Sequence, residues 1–321
     1  MGMMIEGTWS QKEIQGYVRN SKNVRFSNGF HDTVKADRKT VFPAESGRYS
    51  LYFNRTCPWS HRAVVTAKLK GLRHVVQEVE LDPVMGEESW WFGNSGDYQD
   101  PALQATYLHE LYTKSNPKFT GRVSIPVLWD RKKECIVNND SGAIARMFNS
   151  EFNQFAENPE VNFYPQNLSE EINSLNEEIG NRITDGVYRC LLAESQATYE
   201  KSFRELFDKL DELNQRLRHT RFLLGDFPTE PDWRLFASLV RFDAVYYALY
   251  KCNHKRIVDY DELWGYTCDL HQIPGVSETV ELEKIKIGYY QSVKKNDIVP
   301  KGPVINFGAP QKRYRLASEN Q

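Results

Sequence analysis

The chain of 321 residues has almost no net charge: −2, from 41 Lys and Arg against 43 Asp and Glu. Nothing in that balance favours nucleic acid or an anionic membrane as a partner. No run approaches eighteen apolar residues, so no transmembrane helix is expected. The opening residues, MGMMIEGTWSQKEIQG, show neither the basic nor the apolar segment of a secretory signal. Cysteine is scarce and oddly numbered, with five residues at 57, 135, 190, 252 and 268 and no C-x-x-C. That excludes a disulfide framework and reads as a reduced, cytoplasmic chain. Cys252-x-His254 and Cys268-x-x-His271 crowd two Cys and two His together, but the spacings fit no usual structural zinc site. Buried, unrelated thiols are the better reading, and no metal is expected.

Aromatic residues, by contrast, are abundant: 17 Tyr, 17 Phe and 7 Trp. They suit a flat ligand and a dense core equally well. Residues 1–47 are polar and irregular, with Trp9, Tyr17, Phe26 and Phe30 scattered among them, and read as an arm without its own core. RYSLYFN, 48–54, alternates as a strand does. PWSHRAVVTAKLKGL then puts apolar residues at helical spacing before Gly71, and HVVQEVELD, 74–82, is a second β-branched strand. Strand, helix and strand over so few residues predict a parallel pair with a right-handed crossover. Leu103, Tyr107 and Leu111 predict a helix; RVSIPVLWD and ECIVN predict a hairpin; Asn138 to Ser141 can cap a helix through IARMFN. The order β-α-β-α-β-β-α is that of a thioredoxin-like domain, assigned to 48–153. From 160 to 321 helical periodicity takes over. It runs through Ile172 to Leu191 and Tyr199 to Leu217, then into a capped helix after Thr229, with two more helices near 260–271 and 276–291. The second domain is expected to be all-α, with an irregular tail after Pro300.

The chemistry centres on NRTCPWSHRA, residues 54–63. At a strand–helix junction Cys57 becomes the N-cap and Pro58 the first helical residue, where its missing N–H costs nothing. Free N–H groups and the helix dipole favour a thiolate there, and Arg55, Arg62 and His61 add positive charge. Ser60 stands where a resolving cysteine often lies. Cys57 can therefore form a mixed disulfide but cannot close a local one. Ser60 itself could donate to the thiolate. An external thiol must release the mixed disulfide, which points to glutathione. Two features could bind that peptide: Ile125-Pro126, a cis bond of which would expose backbone for pairing, and Asp140-Ser141 at a helix start. An edge-strand proline and simple capping would account for the same residues.

These residues, with GRVSIPVLWD, IVNNDS, TRFLLGDFPTEPDWRLFASLVRFDAVYYALYKCN and DELWGYTCDLHQIPGV, resemble the glutathionyl-hydroquinone reductases, the Xi class of glutathione transferases. The resemblance covers nearly the whole chain. It implies that Cys57 attacks the sulfur of a glutathionyl-hydroquinone, that the hydroquinone leaves, and that a second glutathione releases glutathione disulfide. It implies glutathione contacts from Trp90, with Trp91 as rival, from Arg122, Val123, Ser124 and Ile125, and from Asp140 and Ser141. It makes Tyr188 the acid that protonates the leaving group, with Tyr246 and Tyr289 hydrogen-bonding beside it and Tyr290 the rival of Tyr289. It also implies a homodimer. An omega-like thioltransferase or dehydroascorbate reductase would use the same Cys57 without the three tyrosines. Two positions depart from the family: Ser60 replaces the usual alanine or cysteine, and Asp140 the usual Glu.

Overall fold

The computed structural model describes residues 2–11, 29–294 and 298–309, without the side chains of 293 and 294. Tyr17 and Phe26 of the arm and the tail beyond 309 lie outside the described residues. The chain divides into two compact units, 1–161 and 162–321.

The first unit is built on a four-stranded sheet in the order β4-β3-β5-β6, comprising β3 (Tyr49–Phe53), β4 (Val76–Glu80), β5 (Val127–Asp130) and β6 (Cys135–Asn138). The hairpin β1 (Met3–Ile5) and β2 (Thr8–Ser10) forms a separate two-stranded sheet. β3 and β4 run parallel, as the crossover through α1 (Pro58–Leu69) requires; β5 pairs antiparallel with β3 and with β6. Strand side chains alternate between faces. Tyr49, Leu51 and Phe53 therefore pack with Ala63, Val64 and Ala67 of α1 and with Ile144, Met147 and Phe148 of α3 (Ser141–Ser150). Tyr52, Val127 and Trp129 face the other way, toward Leu111 and Tyr112 of α2 (His109–Ser115). Cys57 belongs to this second cluster.

The structure departs from the sequence reading in three places here. The arm is not irregular throughout: β1 and β2 form a hairpin, and Met4 exchanges backbone hydrogen bonds of 2.9 and 3.0 Å with Gly121. Its turn needs Gly7, at φ +79°, since a Cβ there would lie 1.9 Å from the Pro117 carbonyl oxygen. The helix expected over 103–111 starts only at His109, because the Asp100 carboxylate captures the amides of Ala102, Leu103 and Ala105 in a turn. The strand expected across RVSIPVLWD begins after Pro126. The buried Lys70 ammonium donates to the carbonyls of Pro159 and Val161 and ties that segment to the end of α1.

The second unit is helical, with α4 (Ser169–Ile179), α5 (Asp185–Leu191), α6 (Gln196–Arg216), α7 (Glu230–Arg241), α8 (Tyr247–Leu249), α9 (Asp261–His271) and α10 (Leu282–Lys294). The expected apolar stripes are buried, including Ile172, Ile179, Ile183 and Val187 on one run and Leu206, Leu210, Leu213 and Leu217 on the other. Two π-turns, Gly180–Thr184 and Phe242–Tyr246, interrupt helices that periodicity alone reads as continuous. Helix α7 is buried along its whole length. Its polar residues therefore need partners, and Arg234 donates to Asn176 at 2.8 Å. Asp232 accepts from the Leu223 and Thr229 amides, the Thr229 hydroxyl and the Tyr266 phenol, all within 3.0 Å. Among the described residues no helix is long and apolar enough to cross a membrane. Asp232→Ala strands these buried donors and is expected to cost roughly 3 kcal/mol. Urea unfolding followed by far-ultraviolet circular dichroism checks this; a midpoint equal to the parent's would refute it.

Candidate active site

β3 delivers the chain to a turn that Asn54 builds. Its Oδ1 accepts from the Thr56 amide at 2.8 Å and the Thr56 hydroxyl at 2.6 Å. Its Nδ2 donates to the Leu81 and Asp82 carbonyls, so the turn is locked to the end of β4. Cys57 emerges as the N-cap of α1, in extended conformation (φ −79°, ψ 119°), with Pro58 next. Its Sγ accepts from the Ser60 amide at 3.4 Å and lies 3.8 Å from the Ile125 carbonyl oxygen, to which the thiol can donate. The Ser60 hydroxyl is buried and finds no hydrogen-bond partner among the described residues. The helix-start amide at position 60, not the side chain, therefore meets the sulfur. Arg55 pairs with Glu80 at 3.1 Å, and Arg62 sends Nε and one terminal nitrogen to the Ser141 hydroxyl at 3.1 and 2.6 Å.

The loop opposite the sulfur contains a cis Ile125–Pro126 bond. Ser124 beside it is fully occupied. Its amide donates to the Tyr112 phenol, whose own proton goes to the Ser124 carbonyl at 2.7 Å, and the Asn139 amide donates to the Ser124 hydroxyl at 3.2 Å. Burial pushes the Tyr112 phenol up, which keeps it a donor. Among the described residues no hydrogen bond reaches the backbone N–H of Val123 or Ile125. Arg122 is half-buried. Asp140 caps α3 by accepting from Ala143 at 2.8 Å, and Ser141 follows with its hydroxyl held by Arg62. The two tryptophans differ: Trp91 donates to the Val84 carbonyl and stacks on Tyr107, whereas the half-buried Trp90 has no indole partner among the described residues.

In the second unit the structure brings Tyr188, Tyr246 and Tyr289 together. Tyr188 stands on α5 just after one π-turn, Tyr246 closes the other, and Tyr289 lies on α10. The Tyr289 hydroxyl is 2.8 Å from that of Tyr188 and 3.1 Å from that of Tyr246. Burial, reinforced by neighbouring phenols, raises Tyr188 and Tyr246 well above the usual tyrosine range; it raises Tyr289 too, against a counter-pull from the Arg241 guanidinium. Tyr290 makes no hydroxyl or ring contact with the three among the described residues. Sequence reasoning missed Tyr250, whose ring touches all three, and it missed Tyr112 and Asn139 behind the first site. Tyr250 falls one turn after Tyr246, a spacing that could have flagged it. The Cys and His residues weighed for zinc go elsewhere: the Cys252 thiol donates to the Tyr250 carbonyl at 3.8 Å, His254 packs on Phe207, and His271 on Phe307.

The thiols differ enough to be ranked. Cys135 is the most accessible, but burial and the nearby Asp130 raise it; burial pushes Cys268 up to about 12; Cys190 and Cys252 are fully enclosed. Cys57 alone caps a helix. Limited iodoacetamide at neutral pH, read by peptide mass mapping, is expected to label Cys57 before Cys135. The reverse order would remove the thiolate argument.

The family model of the glutathione S-transferase N-terminal domain matches residues 56–151, and that of the C-terminal domain residues 196–267. The glutathionyl-hydroquinone reductase of Escherichia coli (strain K12) is 36% identical, with 98% of each chain covered. That of Sphingobium chlorophenolicum is 37% identical, over 94% of this chain and 96% of the relative. Among solved structures, a Xi class glutathione transferase from Natrialba magadii superposes with a TM-score of 0.91 at 37% identity, covering 98% of this chain and 97% of that one. The glutathione-bound form of the Escherichia coli K-12 homologue superposes at 0.87 with 35% identity, covering 98% and 99%.

Proposed function

The chain belongs to the glutathionyl-hydroquinone reductases, the Xi class of glutathione S-transferases, and from that membership we propose a role for each residue of its site. The protein is an enzyme that reduces glutathionyl-hydroquinones to hydroquinones at the expense of glutathione. The observation that carries the assignment of its chemistry is the Cys57 sulfur, capped by the Ser60 amide with no second cysteine in the turn.

Glutathione binds as an extended peptide. The amides of Val123 and Ile125, unpaired among the described residues, support backbone pairing with it, and Ser124, engaged by Tyr112 and Asn139, holds that loop in shape. Ser141 keeps its own proton for the γ-glutamyl carboxylate while Arg62 donates to its oxygen. Asp140 supplies negative charge for the γ-glutamyl ammonium. Trp90, with its indole uncommitted, suits a ligand contact better than Trp91, and Arg122 adds a positive charge. The Cys57 thiolate then attacks the glutathione sulfur. A sulfur–sulfur bond forms, the sulfur–aryl bond breaks, and its electron pair passes to the ring carbon, which takes a proton from Tyr188. A second glutathione thiolate attacks the mixed disulfide, releasing glutathione disulfide and regenerating Cys57. Tyr246 and Tyr289 support the acid through their hydroxyl chain. A cytoplasmic homodimer belongs to the same proposal.

The test pairs two assays: hydroquinone release from a glutathionyl-hydroquinone, followed by chromatography, and reduction of a small glutathione mixed disulfide. Both are expected with the parent protein, and Cys57→Ala is expected to abolish both. Disulfide reduction with an untouched thioether would instead mark an omega-like thioltransferase. Tyr188→Phe is expected to slow thioether cleavage by roughly a hundred-fold or more while leaving disulfide reduction intact. Equal losses in the two assays would assign Tyr188 to packing. Because Tyr188 is raised well above 10, the parent is expected to keep its acid proton, and its thioether-cleaving rate, up to that pH.

A further inference from the structure

The arm reaches the glutathione segments of the first unit from behind. The Asn139 amide donates to the Phe30 carbonyl at 3.2 Å, and His31 bridges antiparallel to Asn138 at the end of β6. Two consecutive asparagines extend that contact through their side chains. Asn139 accepts the Phe30 amide on its Oδ1 at 3.0 Å, and its Nδ2 donates to the Ser124 hydroxyl and the Tyr112 phenol, both at 3.2 Å. Asn138 donates from Nδ2 to the Asp32 carbonyl at 2.8 Å and accepts the Asp140 amide on its Oδ1 at 2.7 Å. Each side chain thus has one end on the arm. The other end is on a segment assigned to glutathione, Ser124 in the cis-proline loop or Asp140 at the start of α3. A turn into α3 would need only one acceptor; these amides use donor and acceptor in opposite directions. The hairpin grips the same loop further back, where Met4 pairs with Gly121 and the Glu6 amide donates to the Thr120 hydroxyl at 2.9 Å. The Phe30 ring adds an edge-on contact to Tyr112 at 5.6 Å and stacks on Phe119 at 5.7 Å.

Resting on the functional reading above, we propose that Asn138 and Asn139 are positioning residues that couple seating of the arm to glutathione binding. With Phe30 and Asp32 docked, the cis-proline loop and Asp140 are held in the geometry that receives the peptide. Groups held in place beforehand lose less freedom when a ligand arrives, and that saving appears as affinity. The coupling is reciprocal: what the arm does for glutathione, bound glutathione does for the arm. Both asparagines act through other residues. Their effect therefore falls on the binding of every glutathionyl ligand and spares the chemical steps at sulfur and at the aryl ring.

Gly29→Ala tests this without altering either asparagine or the loop. A Cβ at Gly29 would lie 2.8 Å from the Asn139 Oδ1 and 2.9 Å from the His31 ring, so it pushes the arm off Asn139. The KM values for glutathione and for the glutathionyl-hydroquinone are expected to rise together, roughly three- to ten-fold, the loss of about one neutral hydrogen bond. The kcat values for thioether cleavage and for mixed-disulfide reduction are expected to stay at parent level. Asn139→Ala is expected to act likewise, and the double variant to lose no more than Asn139→Ala alone, because both changes break one chain of contacts. A fall in kcat at parent KM, the mark of weakened packing, overturns the proposal; so do parent KM values and additive losses in the double variant. Hydrogen exchange read by mass spectrometry checks the reciprocal effect. Saturating glutathione is expected to slow exchange of the parent peptide covering Phe30 and Asp32, and an unchanged rate overturns the coupling. Should Asn139→Ala fold poorly, Gly29→Ala and the exchange measurement decide by themselves. Failure of the functional reading shows itself in the parent protein, as a thioether left whole; the mixed-disulfide assay then still reads the glutathione KM, so the two failures stay apart.

Discussion

The hydrogen bond from the Ser60 amide to the Cys57 sulfur is the contact on which the first unit depends. It requires a helix that starts at Pro58, a strand that ends at Phe53, and a turn between them that cannot drift. Asn54 supplies that rigidity by bonding forward to Thr56 and sideways to the end of β4. The parallel pairing of β3 with β4 is thus also what aims the sulfur. On the far side of the sulfur, Tyr112 and Asn139 fix the loop that ends in Ile125, and Phe30 of the arm closes on Asn139 through two backbone contacts. The elements that hold the thiol are mostly polar side chains in turns, braced by the two apolar layers of the sheet.

The second unit solves a different problem, how to gather phenols. A regular helix repeats its face every three or four residues. The π-turns at Gly180–Thr184 and Phe242–Tyr246 each insert a residue and rotate the helical turns beyond it, and Tyr188 and Tyr246 stand beside those insertions. Asp243 anchors the second turn by accepting from the Ile257 and Val258 amides at 2.6 and 3.1 Å. Arg241, buried just before it, brings a positive charge that partly offsets the desolvation of Tyr246 and Tyr289.

Much of this was legible in the residues. The βαβ start, the hairpin and the helical second half arise from periodicities that burial enforces, and the glutathione transferase architecture bears them out. The Cys-Pro pair marked the helix start because Pro58 is favourable only there. The features that could not be read depend on contacts distant in sequence. Asp100 takes three amides that periodicity would have given to a helix. The π-turns lie within an apolar pattern that a single period cannot resolve. The hydrogen bonds that Ser124 exchanges with Tyr112, twelve residues away, were equally illegible. Tyr250 differs from the other tyrosines only by where the chain folds it.

The presence of a hydroxyl rather than a thiol at the buried Ser60 has a kinetic consequence. A cysteine in that place would resolve a mixed disulfide at an effective concentration set by the geometry of one helix turn, far above that of any free thiol. With an oxygen there, which forms no disulfide, the resolving step of the proposed cycle stays bimolecular. The lifetime of the oxidised intermediate is then governed by the supply of reduced thiol in solution, and the fold leaves the final electron transfer to its surroundings.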